Sequence, residues 1–178
     1  MKEAEVSLRV AIEYIKSGQT EKDVIVAIDG AQIKTEDRIH FQITDFMKDI
    51  GFEKDVYVSD TWQGRYKLEG YEAGIVVHSK SGEGDVVISL INGRTLFIES
   101  KGFSIEGEKG SGEYPKMREA IGQLMTCPIY SETVDYAIAI PDSVKSRKLT
   151  MAWSEFTQIK KMNIKFFLVS RNKGISIL

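Results

Sequence analysis

The sequence predicts a mixed α/β fold, in which helices flank a central β-sheet of parallel and antiparallel strands. Three observations carry this prediction. The stretch "EAEVSLRVAIEYIKSG" repeats apolar residues at helical spacing. Short apolar runs such as "DVIVAI" and "DYAIAI" have the length of buried strands, and Asn92-Gly93 separates two apolar runs as in a β-hairpin. With 178 residues, 42% of them apolar, the chain fits one domain with a substantial core.

The elements alternate along the chain. A helix is predicted over residues 3–18, a strand over 23–28, and a second helix from Thr35, a plausible N-cap, to Gly51. Strands at 55–59 and 71–78 precede the hairpin, and the glycine-rich residues 102–112 indicate a loop. Then follow a helix (113–127), a strand (135–140), a helix (152–162) and two strands (164–170 and 175–178). We expect residues 1–34 to be an N-terminal extension of a core formed by residues 35–178.

Composition excludes several classes of protein. No stretch approaches the roughly 18 apolar residues of a membrane span. The start "MKEAEVSLRV" carries acids where a signal peptide would be basic and then apolar, so we expect a cytoplasmic protein. The single cysteine, Cys127, cannot form an internal disulfide, and with His40 and His78 it makes a poor zinc set.

Charge is unevenly distributed along the chain. The net charge of −2 gives no overall attraction to nucleic acid. Residues 141–178, however, hold eight basic and two acidic residues, against a strongly acidic remainder. A basic segment of this kind either attracts phosphates or forms a solvated face.

The hairpin around Asn92-Gly93 has two alternative registers. A two-residue loop would place Asp85 opposite Ser100, with Glu99 and Lys101 on the other face. A three-residue loop, with Gly93 in the left-handed conformation, would place Asp85 opposite Glu99, and Lys101 on the same face. We predict the second register, which gathers two carboxylates and an ammonium at the rim of a sheet. There they must be paired or bind something.

This cluster has a chemical use. Two carboxylates at cross-strand distance repel each other unless a cation joins them. Their hard oxygen atoms suit Mg²⁺ or Mn²⁺, and a neighbouring lysine can orient or deprotonate water or stabilise charge on a phosphate. Together these groups would hydrolyse phosphodiesters. The alternative is a rim salt bridge with no catalytic role.

Asp85, a gap of 13 residues, and then Glu99-Ser100-Lys101 resembles the signature of the PD-(D/E)XK nuclease superfamily. The order of predicted elements around the hairpin is also similar, from residue 35 to 140. The resemblance implies a restriction-endonuclease-like core. It implies that Asp85, Glu99 and the Ser100 carbonyl bind the metal, Mg²⁺ or Mn²⁺, and that Lys101 acts on the nucleophilic water.

The resemblance implies further site residues and a partner. Gln123 resembles a glutamine that some members place beside the active site, although the tyrosine that usually follows is Cys127 here. Gly84 replaces the usual proline. Many members add an acid from the first helix, for which Glu36 is our candidate, with His40 one turn on. The implied partner is nucleic acid, DNA foremost, and a homodimer is the arrangement typical of nucleases that cut both strands.

Two other functional classes stay open at this point. The chain could be a non-catalytic nucleic-acid-binding or assembly subunit that retains the nuclease-like fold, because fold does not imply function. It could also be an unrelated α/β protein, which would have no need to place Asp85 and Glu99 on one face.

Overall fold

A computed structural model describes residues 1–55, 61–80, 82, 84–104, 112–127 and 131–178. The helices are α1 (Glu3–Lys16), α2 (Gly30–Ile33), α3 (Ile43–Asp49), α4 (Glu113–Met125), α5 (Val144–Ser154) and α6 (Thr157–Met162). The strands are β1 (Val24–Ala27), β2 (Lys34–Thr35), β3 (Arg38–Ile39), β4 (Phe52–Lys54), β5 (Gly64–Leu68), β6 (Ile75–His78), β7 (Val86–Ser89), β8 (Thr95–Ser100), β9 (Val134–Pro141), β10 (Lys165–Ser170) and β11 (Gly174–Ile177). Residues 56–59 of the strand predicted at 55–59 and most of the loop predicted at 102–112 lie outside the described residues.

Nine strands form one mixed sheet in the order β11-β10-β9-β8-β7-β1-β6-β5-β4. The β1–β7 and β7–β8 pairs are antiparallel, whereas β8–β9, β9–β10 and β1–β6 are parallel. Strands β2 and β3 form a separate two-stranded ribbon. The predicted mixed α/β architecture is confirmed, and the residues predicted as an extension, 1–34, contribute α1 to the core and β1 to the middle of the sheet.

The β7–β8 hairpin has the register that places Asp85 opposite Glu99. Val86 pairs with Ile98 and Ser89 with Thr95, and the Leu90 N–H donates to the Arg94 carbonyl at 2.8 Å. The loop is therefore Ile91-Asn92-Gly93, with Gly93 at φ +80°, which glycine adopts without steric cost. The predicted three-residue loop is confirmed.

Side chains of β8 alternate between two hydrophobic cores, one on each face of the sheet. Leu96 and Ile98 belong to the core under α1, whereas Phe97 belongs to the core under α4, α5 and α6. Because the side-chain period of a strand is two, Glu99 points to the same face as Phe97, toward α4. The charged end of β8 is thus the continuation of a buried apolar row.

Two predicted helices differ from the structure. The helix predicted from Thr35 to Gly51 is wrong over its first half: α3 covers only Ile43–Asp49, and Gln42 is its N-cap. Thr35 instead ends β2, and Glu36 has φ +52°, a conformation that an α-helix cannot contain. The helix predicted over 152–162 is two helices, because the extended backbone of Phe156 separates α5 from α6.

Candidate active site

The predicted cluster lies where β7 begins and β8 ends. Lys101 Nζ donates to Glu99 Oε1 at 2.7 Å, and the Ser100 N–H donates to Asp85 Oδ2 at 2.8 Å. Only 5% of Glu99 and 2% of Lys101 are exposed to solvent. Charged side chains are rarely buried to this extent unless they are paired, so the sheet rim holds a desolvated polar site.

Two helices bring further carboxylates to the same lysine. Lys101 Nζ lies 3.6 Å from Glu119 Oε1 on α4 and 3.8 Å from Glu3 Oε1 on α1. With Asp85 and Glu99, four carboxyl groups surround one ammonium group. If all of them were ionised, the site would carry a clear excess of negative charge, which favours the entry of a cation.

Gly102 allows the N-terminus of α1 to reach this site. A Cβ atom at position 102 would overlap the backbone of Lys2 and Glu3, so only glycine permits this approach. The Gly102 N–H also lies 3.3 Å from Glu3 Oε2, to which it donates. The other oxygen, Oε1, accepts a hydrogen bond from Gln32 Nε2 at 2.9 Å. These contacts hold the Glu3 carboxylate in place beside Lys101.

A cavity of about 710 Å³ opens beside the cluster. This volume is within the range of small-molecule sites. Its charged lining residues are mostly acidic, with two lysines. The lining comprises Glu3, Ala27, Ile28, Asp29, Gln32, Ser79, Lys80, Gly82, Gly84, Asp85, Glu99, Lys101, Glu119, Gln123, Leu124, Thr126 and Cys127.

The burial of the cluster changes its protonation. Desolvation, reinforced by the charge of Glu99, raises the pKa of Asp85 to about 8, although the Ser100 N–H and Lys101 oppose this. Desolvation likewise raises the pKa of Glu99 against the effect of Lys101. Burial opposes the charge of Lys101, but the hydrogen bond and charge of Glu99 prevail, and the pKa of Lys101 is raised. At neutral pH the cluster therefore holds a proton on Asp85 and an ammonium on Lys101.

The structure brings together most of the predicted site residues. Asp85, Glu99 and Lys101 converge, and Gln123 on α4 lines the same cavity. Neither Glu36 nor His40 is among the residues that line the cavity, all of which the structure describes. Glu36 is exposed in the turn of the β2–β3 ribbon, and His40 Nε2 lies 3.1 Å from the Thr35 hydroxyl of that ribbon.

Sequence reasoning missed Glu3 and Glu119. The acid from a helix that precedes the sheet is Glu3, in the first turn of α1. It could have been found by applying the same expectation to the first predicted helix instead of the second. Glu119 is four residues before Gln123, and residues four apart share one face of a helix, so the placement of Gln123 implied it.

The donor set fits a hard divalent cation. Within the described ranges, no group of three or more His, Cys, Asp or Glu side chains is arranged to hold a metal ion. Asp85 and Glu99 nevertheless offer carboxylate oxygens across one strand pair, and the Ser100 carbonyl between them could add a main-chain oxygen. Mg²⁺ commonly takes one or two carboxylates and keeps several waters. The pKa of Asp85 is raised chiefly by burial and in second place by the charge of Glu99, which a bound cation would offset.

Comparison of the chain with protein-family models, with curated proteins and with solved structures gave no match. Across the described residues, every helix is too short or too polar to cross a lipid bilayer. The geometry and chemistry of the site at the end of β8 are therefore what indicate a function.

Proposed function

We propose that this protein is a metal-dependent phosphodiester hydrolase, a DNA or RNA nuclease of the PD-(D/E)XK type. The observation that carries the proposal is the hairpin register, which places Asp85 opposite Glu99 with Lys101 on the same face, beside a cavity. A protein that needed only a salt bridge would not require the second carboxylate, which burial destabilises.

The order of elements around the site supports this proposal. Helix α1 precedes the sheet, β7 and β8 form the hairpin that carries the motif, α4 follows, and β9 pairs in parallel with β8. The resemblance drawn from the sequence assigned residues 36–50 to the first helix. In the structure, α1 occupies that place in the order and supplies an acid to the site through Glu3.

The residues would divide the chemistry among them. Asp85, Glu99 and the Ser100 carbonyl would hold Mg²⁺ or Mn²⁺. When bound, the metal would supply positive charge beside the phosphate and activate a water molecule. Lys101 is held as an ammonium by its carboxylate neighbours, so it would orient that water or stabilise charge on the phosphate. A lysine with a raised pKa is poorly suited to accept a proton.

Gln123 and Glu119 share the face of α4 that borders the cavity. The Gln123 amide can donate to a phosphate oxygen or accept from a water molecule. Glu119 contacts both Lys101 and Lys116, at 3.6 and 2.9 Å between side-chain nitrogen and oxygen atoms. It would therefore keep the Lys101 ammonium aligned toward the cavity.

A second function, as a non-catalytic nucleic-acid-binding or assembly subunit, is favoured by one observation. Lys101 has three carboxylate neighbours within 3.8 Å, so its charge is balanced without any metal. An ion cluster that is complete in itself could be retained for structural reasons alone.

Calorimetric titration of Mn²⁺ into the wild-type protein, Asp85→Asn and Asp49→Asn separates the two functions. Asp49 is an exposed acid at the end of α3, so its substitution matches the charge change away from the site. The same proteins are assayed on single- and double-stranded DNA and RNA. We expect the wild type and Asp49→Asn to bind Mn²⁺ and cleave, and Asp85→Asn to do neither.

The outcomes discriminate between the two functions. Binding of Mn²⁺ without cleavage of any of the four substrates would favour the non-catalytic subunit. No binding at millimolar Mn²⁺ in the wild type would overturn the nuclease proposal and leave an ion cluster. Equal binding by the wild type and Asp85→Asn would place the metal elsewhere.

A further inference from the structure

The lining of the active-site cavity contains two lysines, which differ in exposure and in pairing. Lys101 is 2% exposed and has three carboxylate neighbours within 3.8 Å. Lys80 follows β6, is exposed, and lines the same cavity. No residue that the structure describes forms an ion pair with the Lys80 side chain. Lys80 is therefore the cation of this lining that a phosphate can approach without displacing a carboxylate.

Two hydrogen bonds anchor the main chain that carries Lys80. The Lys80 N–H donates to His78 Nδ1 at 3.2 Å, and the Ser79 N–H donates to Gln63 Oε1 at 3.3 Å. Both acceptors are side chains at the edge of the sheet where β6 ends and β5 begins. These contacts hold residues 79 and 80 at that edge, so the base of the Lys80 side chain has a defined position in the cavity wall.

The register of the sheet places Lys80 on the side of the proposed metal ligands that is opposite α4. Ala27, at the end of β1, pairs with His78 of β6, and its N–H donates to the Asp85 carbonyl at 2.8 Å. Because neighbouring strands lie about 4.8 Å apart, the end of β6 is about 10 Å from Asp85. Helix α4 packs on β8 and β9, beyond Asp85 in the other direction. Asp85 and Glu99 thus lie between the wall formed by α4 and the wall that contains Lys80.

Three further acids of the lining are already engaged. Glu3 and Glu119 are ion-paired with Lys101, and Asp29 is the N-cap of α2, where its Oδ1 accepts from the Ala31 N–H at 2.9 Å. A strand that passed over Glu3 and Glu119 would bring its phosphates against carboxylates in a poorly solvated site, which is electrostatically unfavourable. The direction from the metal ligands toward α1 and α4 is therefore unfavourable for a polyanion.

Small residues separate Asp85 from Lys80. Ala27 lies between Asp85 and the end of β6, and its side chain is a methyl group. Gly82 and Gly84, in the connection from β6 to β7, also line the cavity and have no side chain. A phosphodiester chain along this path would meet main chain and a methyl group before it reached the ammonium group of Lys80.

We infer that Lys80 binds a phosphate of the substrate strand, next to the phosphate on the metal, and that the strand leaves the metal site across Ala27 toward the end of β6. This inference rests on the proposed nuclease function and deepens it, because it names a substrate with consecutive phosphates, a nucleic-acid strand. The ammonium group of a lysine is a compact charge with three donors, which binds phosphate without requiring one orientation. Lys80 is thus a substrate-binding residue, whereas Lys101 belongs to the reaction itself.

The first test measures binding without cleavage. Fluorescence anisotropy follows a labelled 15-nucleotide oligo(dT) in EDTA, with the Asp85→Asn protein as the common background so that no strand is cut. Added to this background, Lys80→Gln should lower the slope of log K against log salt by about 0.7, for one lost phosphate contact on a single strand. If the affinities converge at 1 M salt, this slope corresponds to about fivefold weaker binding at 0.1 M salt.

The second test compares two substrates under matched Mn²⁺. With Asp85 intact, Lys80→Gln should raise KM for oligo(dT) about fivefold and leave kcat within twofold, because a contact to a neighbouring phosphate stabilises the ground state and the transition state alike. Bis(p-nitrophenyl) phosphate has one phosphodiester and no neighbouring phosphate. The wild type and Lys80→Gln should therefore cleave it equally.

Lys80→Arg and Lys22→Gln are the controls. Lys80→Arg keeps the positive charge and should bind oligo(dT) as the background does. Lys22 is an exposed lysine that precedes β1, at the opposite edge of the sheet, so Lys22→Gln should change neither the salt slope nor KM. All variants should keep the circular dichroism and melting temperature of their parent protein, since both side chains are exposed.

Equal affinity and equal salt slope of the background and Lys80→Gln would overturn the inference, as would the absence of any binding to oligo(dT). An equal loss of activity on bis(p-nitrophenyl) phosphate would also overturn it, because Lys80 would then act at the reacting phosphate instead of its neighbour. Binding that depends on Lys80, in a protein whose wild type cleaves nothing, would uphold the phosphate contact and reject the hydrolase.

Discussion

Replacement of Asp85 by asparagine should make the metal-free protein more stable at alkaline pH. The ordinary pKa of an aspartate is 3.8, and burial beside Glu99 raises that of Asp85 to about 8. Between these values the folded protein holds a proton that the unfolded chain has released. The free energy of unfolding of the wild type therefore falls as pH rises through this range, by up to about 1.4 kcal/mol per pH unit.

Asparagine reproduces the protonated aspartate without titrating. Its amide oxygen can accept from the Ser100 N–H, as Asp85 Oδ2 does at 2.8 Å, and its NH₂ can donate toward Glu99. From pH 5 to pH 8 the wild type loses at most about 4 kcal/mol that the variant keeps. Because water that enters the site relieves part of this penalty, we expect a difference of about 2 kcal/mol at pH 8. That corresponds to roughly 4–8 °C in melting temperature for a chain of this size.

The assay is urea unfolding and thermal unfolding in EDTA at pH 5, 6.5 and 8. A matched control is Asp135→Asn, since Asp135 is also buried but donors from Arg94, at 2.8 Å, lower its pKa. Its carboxylate contributes stability above its ordinary pKa, and that stability is lost as the pH falls. Asp135→Asn should therefore destabilise the protein, most at high pH. If Asp85→Asn were no more stable than the wild type at pH 8, the argument from burial would be refuted.

Three further predictions concern the residues around Asp85. Lys101→Met should lower the free energy of unfolding by about 3–5 kcal/mol in urea titrations at pH 8, because it leaves Glu99 buried and unpaired; an unchanged midpoint would contradict the ion cluster. Glu3→Gln should slow cleavage at least tenfold, whereas Glu36→Gly should leave the rate within twofold; rates measured under matched Mn²⁺ decide between the two acids. Glu36→Gly should also stabilise the fold by about 0.5–1 kcal/mol, because the backbone of Glu36 is in the left-handed conformation that glycine adopts without strain. Gly102→Ala should lower both stability and cleavage, because its methyl group would displace the α1 backbone at Glu3; a wild-type melting temperature and rate would show that α1 can retreat freely.

Local sequence determined the hairpin and its charged end. Asn92-Gly93 indicates a hairpin with a short loop, and of the two registers that it allows, the observed one is the register that gathers Asp85, Glu99 and Lys101 on one face. Asp85, Glu99 and Lys101 could be brought together from the sequence because every step from one to another passes through a single hairpin. Gln123, on the next helix along the chain, came only from the family resemblance, and in the structure it lines the same cavity.

Only the tertiary structure decided which acids complete the site. Glu3 lies 98 residues from Lys101 in the chain and reaches it because β1 enters the middle of the sheet, α1 crosses the neighbouring strands, and Gly102 leaves space for the helix. No local pattern encodes a contact at that separation. Glu36 is the opposite case, since the local pattern predicted a helix start there. In the structure its backbone has φ +52° and it lies in a solvent-exposed turn away from the site. Local periodicity specifies which face a side chain takes, whereas long-range packing specifies what that face meets.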